Sequence, residues 1–398
     1  MSLLESVQQL SLSNAQEVVR WRRHLHANPE LSYKEFNTAK FVAKTLREIG
    51  LSPEEGIAGT GLLVLIYGNN PSKKIVALRA DMDALPITET NSEDYKSKNP
   101  GVMHACGHDV HTASLLGTAK ILNAVRDQFE GTIRLIFQPG EEKNPGGASY
   151  MIRDGALENP RPASIIAQHV MPLLPVGKIG FREGMYMASS DEIYLTVIGK
   201  GGHGAAPELT IDPVVIASHI IIALQQVISR NASPKQPTVL SFGKIIGEGT
   251  TNIIPNEVKI SGTFRALNET WRQEGLSKIK KMAEGIAEGM GGSCVVEISH
   301  GYPYLENNPV LTRRIRLAAE EYVGKENVVD IELTLGSEDF AYYSHIIPAS
   351  LYRLGTRNEA KGITSYIHTP TFNIDEGALE IAPGLMAWLA IKELESTN

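Results

Sequence analysis

The residues of this chain with the clearest chemical potential lie in MHACGHDVH, residues 103–111. This stretch contains one of the two cysteines and three of the eleven histidines. Cys106 and His108 form a Cys-x-His pair, a spacing typical of metal ligands because both side chains can reach one ion. The stretch therefore predicts a site for a divalent cation. His104 and His111 are either further ligands or groups that orient the ligands.

Acidic side chains follow predicted strands on both sides of this stretch. The apolar run at residues 73–86 turns acidic at Asp81 and Asp83, and a second predicted strand leads into QPGEE. Open α/β sheets collect ligands and catalytic groups at the carboxyl ends of their strands. Glu141 and Glu142 face different ways from an extended backbone, so one can bind a cation while the other acts as a general base. The alternative for the aspartates is that they only brace the following turn.

Two further histidines are candidate ligands. His169 follows a third predicted strand, residues 163–168, and His368 lies in the loop sequence YIHTP. Alone each would be ambiguous, but convergent Cys, His and carboxylate groups are typical of metal sites. His24 and His26 lie late in the first predicted helix, where basic residues suit the negative helix end, and we interpret them as structural.

The order of the predicted elements indicates an α/β protein with two domains. A chain of 398 residues exceeds the size at which single cores usually stop growing. Residues 189–300 read βαββαβ, the order of a ferredoxin-like α+β sandwich, whereas strands and helices alternate before and after them. We expect a catalytic domain of residues 1–188 and 301–398 with a central, mostly parallel sheet flanked by helices. Residues 189–300 would be inserted into it as a lid and dimerisation domain.

Composition narrows the class of partner and the compartment. The net charge of −7 and the lack of a long basic run argue against nucleic acid as a partner. No sequence run has the roughly 20 apolar residues of a membrane span, so we expect no membrane association. The first residues lack the pattern of an export signal, and the two cysteines have dissimilar neighbourhoods. We therefore expect a cytoplasmic protein with free thiols, in which Cys294 packs in a core.

Eight motifs, in order along nearly the whole chain, resemble those of the amidohydrolase branch of the metal-dependent aminoacylase and carboxypeptidase superfamily. This branch includes N-acyl-amino-acid hydrolases, hippurate hydrolases and auxin-conjugate hydrolases. The motifs are RRHLHANPELSYKE, RADMDALPI, MHACGHDVHTASLLG, QPGEE, GKGGHGAAP, TTNIIPNEVKISGTFRAL, GSEDFA and IHTPTFNID.

The resemblance implies a catalytic domain that holds two divalent metal ions and an inserted lid domain that dimerises. Glu141 matches the general base of this branch, and His203 matches a lid histidine that steadies the oxyanion in the partner's active site. Asn252 and Arg265 resemble lid residues that contact the substrate, in particular its carboxylate. Zinc, manganese, cobalt and nickel all stay open, because a thiolate is softer than the carboxylate of other relatives. The residues that match the metal ligands are Cys106, His108, Glu142, His169 and His368.

The residues and the resemblance both favour hydrolysis of the amide bond of N-acyl amino acids, such as N-acetyl amino acids and hippurate-like compounds. The products are a carboxylic acid and a free amino acid. The alternatives within this class are a dipeptidase and an N-acetyl-diaminopimelate deacetylase. A metal-binding interaction protein without catalysis is disfavoured because Glu141 and His368 are both present. We expect His203 to lie too far from the metals of its own chain, and therefore predict a homodimer through the lid.

Overall fold

The computed structural model describes residues 1–396. The chain forms two compact units. The first unit consists of Met1–Gly184, Glu306–Glu332 and residues 339–396, and the second consists of Met185–Leu305 and Leu333–Glu338.

The secondary structure alternates between helices and strands in the first unit and at both ends of the chain. The α-helices are α1 (Leu3–Ala27), α2 (Phe36–Glu48), α3 (His108–Ala124), α4 (Gly147–Arg153), α5 (Pro213–Gln226), α6 (Glu269–Gly289), α7 (Pro309–Val323), α8 (Ala341–Ser344) and α9 (Ala378–Glu395). The strands are β1 (Glu54–Ile57), β2 (Gly61–Tyr67), β3 (Ile75–Asp81), β4 (Thr132–Gln138), β5 (Ser164–Pro175), β6 (Ile179–Phe181), β7 (Gly184–Met187), β8 (Asp191–Ile198), β9 (Gly202–His203), β10 (Val239–Ile246), β11 (Ile253–Ile254), β12 (Glu257–Arg265), β13 (Ser293–His300), β14 (Leu305–Asn307), β15 (Val328–Asp330) and β16 (Ala349–Arg357).

Eight strands of the first unit form one mixed sheet in the order β1-β2-β4-β3-β5-β16-β6-β15. The four neighbours β4, β3, β5 and β16 at its centre are parallel. β3 and β4 are buried along almost their whole length, as expected for strands covered by helices on both faces. Asp81 and Gln138 are register partners at the ends of β3 and β4, so the residues after both strands start from the same sheet edge. The predicted α/β fold is confirmed.

One strand boundary differs from the prediction. β5 was expected to end at Gln168, but it continues to Pro175, so His169 lies inside the strand. The pairing of β5 with β3 ends at Ala167, whereas the pairing with β16 continues past His169. His169 is therefore two residues beyond the last β3 partner, at the sheet edge where β3 ends.

Helix α3 is the central helix of the first unit and is buried along most of its length. Gly117 in its middle permits close packing, because a Cβ there would lie 2.9 Å from Pro383 of α9 and from Val18 of α1. The three helices thus approach one another at a residue without a side chain. This packing fixes the helix whose first residue is His108.

The second unit contains an antiparallel sheet in the order β10-β12-β8-β13. In chain order these strands are numbers 2, 3, 1 and 4, which is the arrangement of a ferredoxin-like sandwich with α5 and α6 as its helices. Alternate residues of β8 are buried, so one face of the sheet packs against a core. Cys294 belongs to this core, as predicted, and both cysteines are free thiols.

Helix α5 is apolar on more than one face. Together with the turn that follows it, this helix covers Pro213–Asn231. By length and composition only, this is the one helix among residues 1–396 that could cross a membrane, and a third of it (33%) is buried. One face packs in the core of the second unit through Ile216, Ile220 and Leu224. Other apolar side chains of this helix are exposed, namely Val214, Val215 and Ile222.

Candidate metal centre

The turn at Gly107 sets the positions of Cys106 and His108. Gly107 has a φ of +85°, which side chains rarely tolerate, and a Cβ there would lie 2.6 Å from Val170. A glycine is therefore required both by the backbone conformation and by the close approach of β5. Because α3 begins at His108, the imidazole is attached to a rigid helix end.

The predicted ligands and the predicted base lie in one cluster of the first unit. Three overlapping groups each bring their ligand atoms within 4.8 Å of one another. Because the groups share members, all six residues surround a common space. The groups are Cys106 with His108 and His169, Cys106 with Glu142 and His368, and His108 with Glu141 and Glu142.

His108 presents Nε2 to this cluster. Its Nδ1 lies 3.2 Å from Asp83 Oδ1, and because a carboxylate only accepts, Nδ1 carries the proton of that hydrogen bond. Within residues 1–396 Nε2 is buried and has no hydrogen-bond partner, and it lies 3.9 Å from Glu142 Oε1. Burial lowers the pKa of His108, but Asp81, Asp83 and Glu142 outweigh this effect and raise it to about 10. The surroundings of Nε2 therefore favour a positive charge, as a cation site requires.

Cys106 and His169 provide a second pair of ligand atoms. His169 Nδ1 donates to Val170 O at 2.8 Å, so Nε2 is the ring atom left to bind a cation, and it lies 3.5 Å from Cys106 Sγ. Burial is the main cause that lowers the pKa of His169 well below its usual value and keeps the ring neutral. Burial and then Glu142 and Glu141 raise the pKa of Cys106, so this thiol needs a bound cation to ionise.

The loop that carries His368 is attached directly to the Cys106 loop. The backbone N–H of His368 donates to Ala105 O at 2.7 Å, and His368 has a φ of +62°. Nε2 of His368 lies 3.2 Å from Glu142 Oε1, and half of its side chain is exposed. His368 therefore closes the solvent side of a cluster whose other histidines are buried.

Asp83 connects the histidine side of the cluster to the glutamate side. Its carboxylate accepts the N–H groups of Glu141 at 3.0 Å and Glu142 at 2.9 Å, the hydroxyl of Ser32 at 2.6 Å, and His108 Nδ1. Burial opposes ionisation, but these donors lower the pKa of Asp83, with His108 the largest of them. Asp83 thus orients one candidate ligand and holds the turn that carries the glutamates.

His111 has no nitrogen left for a metal. Its Nε2 accepts the N–H of Val170 at 2.9 Å, so Nδ1 carries the ring proton and donates to Asp81 at 2.6 Å. Asp81 also accepts from Arg79 at 2.7 Å. Of the two roles left open for His111, the geometry therefore favours orientation of β5 beside His169.

His104 and the histidines of α1 lie outside the cluster. Within residues 1–396 neither ring nitrogen of His104 has a hydrogen-bond partner, and burial is the main cause that lowers its pKa to about 4. His26 is buried between Asp109, at 2.8 Å, and Glu89, at 3.1 Å. His24 stacks on Phe41. His24 and His26 thus have structural contacts, in agreement with their interpretation from the sequence.

Sequence reasoning missed a buried polar group behind Glu141. Asp339 accepts from Arg79 at 2.7 Å and from Gln138 at 2.8 Å, and its own N–H lies 3.3 Å from Glu141 Oε1. The only signal was the acidic motif GSEDFA, to which no role could be attached from sequence. Glu35 was missed in the same way, although its carboxylate accepts the Gly140 N–H at 2.8 Å.

The predicted lid residues all lie in the second unit. His203 is exposed, and its Nδ1 accepts the N–H of Ala205 at 3.0 Å, which leaves Nε2 as a hydrogen-bond donor. Pairing of β9 with β11 brings Asn252 beside His203, where its carbonyl accepts the N–H of the residue after His203 at 2.9 Å. Arg265 is half-buried at the end of β12 and donates to Ser337 at 3.2 Å.

Comparison with known proteins gives a consistent family. Residues 77–391 match peptidase family M20/M25/M40. The chain is 41% identical over 378 residues to thermostable carboxypeptidase 2 of Saccharolobus solfataricus. That match covers 94% of this chain and 95% of that protein. It is 44% identical over 286 residues to an N-acyl-L-amino acid amidohydrolase of Geobacillus stearothermophilus. That match covers 72% of this chain and 76% of that protein.

A solved structure agrees with this match over nearly the whole chain. The YXEP protein of Bacillus subtilis, described as a dinuclear metal-binding peptidase from the M20 family, superposes with a TM-score of 0.82 at 34% identity. The comparison covers 97% of this chain and 99% of that one. The family expected from the eight motifs is thereby confirmed. The chain belongs to peptidase family M20/M25/M40 and is a hydrolase.

Proposed function

We propose that this protein hydrolyses the amide bond of N-acyl amino acids. The main support for this proposal is the cluster formed by Cys106, His108, Glu142, His169 and His368, with Glu141 at its edge. Relatives named as carboxypeptidase, N-acyl-L-amino acid amidohydrolase, IAA-amino acid hydrolase and N-acetyl-L-cysteine deacetylase support this class. Their names share one chemistry, an amide whose nitrogen belongs to an amino acid.

Two divalent cations fit the ligand set. Cys106 belongs both to the group with His108 and His169 and to the group with Glu142 and His368, so it would be a ligand common to the two groups. Such cations make a water more acidic and polarise the acyl carbonyl. The thiolate and imidazole donors suit zinc, while the carboxylate also admits manganese, and cobalt and nickel fit the same set.

Glu141 acts as the general base in this proposal. The Asp339 N–H holds its carboxylate, and the Glu141 N–H is held by Asp83, so side chain and backbone are both fixed. Glu141 takes a proton from the attacking water and returns it to the leaving amine nitrogen. Positioned proton transfer of this kind typically contributes about 10²- to 10⁴-fold to turnover.

The second unit acts as the lid of a partner's site in this proposal. His203 Nε2 is the donor for the oxyanion, because Nδ1 is already an acceptor. Asn252 and Arg265 would hold the carboxylate of the amino-acid product. The inserted domain of residues 189–300 would thus carry the substrate contacts, and residues 1–188 and 301–398 the cations.

A homodimer through the second unit is supported by its exposed apolar residues. β10 is an edge strand of the sheet and exposes Ile245 and Ile246, and α5 exposes Ile222, of which 72% is accessible. Large exposed apolar patches usually mark interaction surfaces. A second copy in contact with α5 would also explain why this helix is apolar beyond its buried side.

The dimer is tested by sedimentation velocity. We expect a dimer for the wild type and a monomer for Ile222→Asp combined with Ile245→Lys. Leu317→Asp is the matched control, because Leu317 is an exposed leucine of α7 in the first unit, and it should stay dimeric. A monomeric wild type, or a double variant that stays dimeric, would contradict the proposal.

The sharing of sites is tested by subunit exchange. Glu141→Ala and His203→Ala proteins should each be inactive, and a mixture should regain activity from the sites that combine an intact base with an intact lid histidine. Exchange is verified with differently tagged chains. Verified exchange without any recovery would rule out action of His203 on the partner's site.

The reaction is tested with Glu141→Gln. Turnover should fall by about 10²- to 10⁴-fold while the bound metal per chain stays unchanged. Glu142→Gln is the contrasting variant and should lose metal. The substrate panel contains N-acetyl amino acids, hippurate, dipeptides and N-acetyl-diaminopimelate, which separates the proposed function from the dipeptidase and deacetylase alternatives. Near wild-type turnover of fully metallated Glu141→Gln would overturn the role of Glu141.

A cytoplasmic location is part of the proposal. Cys106 is a free thiol in a ligand position, and a reducing compartment keeps it able to bind a cation. The net charge of −7 gives no support to a nucleic-acid partner. Cell fractionation with a tagged protein checks the location, and recovery from the secreted fraction would contradict it.

A further inference from the structure

Glu35 is a buried carboxyl group for which the proposed reaction has no direct use. Its side chain is inaccessible to solvent, and the partners seen for its carboxylate within residues 1–396 are neutral hydrogen-bond donors. Oε1 accepts the N–H groups of Tyr33 at 2.9 Å and Gly140 at 2.8 Å, and Oε2 accepts the Thr60 hydroxyl at 2.8 Å. Burying an ionisable group without a nearby cation costs free energy. Glu35 is therefore expected to have a role other than stabilising the fold.

The contacts of Glu35 lead to the turn that carries the two glutamates. Gly140 is buried with a φ of +65°, and a Cβ there would lie 2.4 Å from the ring of Tyr33. The Tyr33 hydroxyl donates to Lys143 O at 2.9 Å. Residues 33–35 therefore contact this turn at Gly140 and at Lys143, the positions on either side of Glu141 and Glu142.

We infer that Glu35 is a positioning residue that holds the Gly140 turn so that Glu141 and Glu142 point to their separate tasks. Asp83 accepts the N–H groups of the two glutamates, and among residues 1–396 it forms no hydrogen bond with Gly140 or Lys143. Without Glu35 the Gly140 N–H would be buried without an acceptor, which favours rearrangement of the turn. A displacement of about 1 Å at a reacting group can cost about 10²-fold in rate.

Glutamine should replace Glu35 in this role. Its carbonyl oxygen can accept from Tyr33 and Gly140, and its amide can donate to the Thr60 hydroxyl, which is able to accept. Alanine offers none of these contacts. The inference therefore predicts that Glu35→Gln preserves the turn and Glu35→Ala does not.

The experiment measures Zn²⁺ affinity by competition with a chromophoric chelator, together with kcat and KM for an N-acetyl amino acid. We expect Glu35→Ala to bind Zn²⁺ roughly 10- to 100-fold more weakly, the range for residues that orient ligands, and to lose kcat with little change in KM. Glu35→Gln should stay within about threefold of wild type in both. Thr60→Val is the control, because it removes a partner of Glu35 but leaves the contact to Gly140.

Two results would overturn the inference. One is a Glu35→Ala protein with wild-type Zn²⁺ affinity and kcat, and the other is a Glu35→Gln protein as impaired as Glu35→Ala. If Glu35→Ala does not fold, Gly140→Ala and Tyr33→Phe provide the test, because they alter the contacts between residues 33–35 and the same turn. Unchanged Zn²⁺ affinity in both variants would also overturn the inference. The kcat arm rests on the proposed function, but the Zn²⁺ arm does not, so the two failures are distinguishable.

Discussion

Replacing Glu35 with glutamine should stabilise the metal-free protein at alkaline pH and leave it unchanged at acidic pH. Burial, followed by the charge of Asp83, raises the pKa of Glu35 from 4.5 to about 7. A carboxyl group with a raised pKa contributes stability that is complete below its unfolded pKa and is lost as the pH rises through its folded pKa. The wild type should therefore lose stability between about pH 4.5 and pH 7, and glutamine, which cannot ionise, should not share this loss.

The structure sets the size of this effect. The two pKa values, 4.5 and about 7, correspond to a free-energy difference on the order of 3 kcal/mol at about 1.4 kcal/mol per pKa unit. Solvent does not screen this effect, because the Glu35 side chain is inaccessible to water. The Tyr33 and Gly140 N–H groups can still donate to the glutamine carbonyl, and the glutamine amide can donate to the Thr60 hydroxyl, so the loss of the charge is the only large change.

The assay is urea or thermal unfolding of both proteins from pH 4.5 to 8.5 in the presence of a chelator, since nearby cations would lower the pKa of Glu35 again. The variant and the wild type should coincide near pH 4.5 and separate above pH 7, with the variant more stable. Glu48→Gln, at an exposed glutamate of α2, is the control and should show no separation. A stability difference between Glu35→Gln and wild type that is the same at pH 5 and pH 8 would refute the reasoning.

Three further predictions concern the cluster. The Cys106→Asp variant should keep two cations but shift its preference from Zn²⁺ toward Mn²⁺ by roughly tenfold or more, because a carboxylate is a harder ligand than a thiolate. Metal analysis after equilibration with equal amounts of both ions checks this prediction, and an unchanged ratio of bound Zn²⁺ to Mn²⁺ would contradict it. His111→Phe should lower stability by about 2–4 kcal/mol, since Val170 N–H and Asp81 lose their buried partner, yet leave the metal content at two per chain; loss of a cation would show His111 to be a ligand after all. Removal of the cations should lower the thermal midpoint of unfolding and their return should restore it, because a ligand that binds only the folded state stabilises that state; a midpoint that does not change with the chelator would contradict this.

The sequence predicted the parts of the site that depend on local order. Cys106 and His108 are two residues apart at a helix start, and Glu141 and Glu142 follow a buried strand, so periodicity and spacing were enough to bring them to one sheet edge. The βαββαβ order likewise predicted the sandwich of the second unit. His169 was placed at the correct edge even though its strand continues to Pro175.

Contacts between distant segments could not be predicted in this way. Glu35 and Gly140 are 105 positions apart, and Arg79 and Asp339 are 260 positions apart. No local pattern encodes a hydrogen bond between such segments, because it depends on which loops the finished fold brings together. The role of His111 depends on its tautomer, which is set by the N–H of Val170. The roles of His203, Asn252 and Arg265 stay predictions, since they involve a second copy of the chain.

The central claim, that one cluster in the first unit holds two divalent cations, is tested most directly by anomalous diffraction from crystals of the metal-loaded protein. We expect two anomalous peaks per chain, about 3.5–4 Å apart, with Cys106 Sγ near both. One peak also contacts His108 and His169, and the other contacts Glu142 and His368. A single peak, or peaks remote from Cys106, would show that this cluster does not hold two cations.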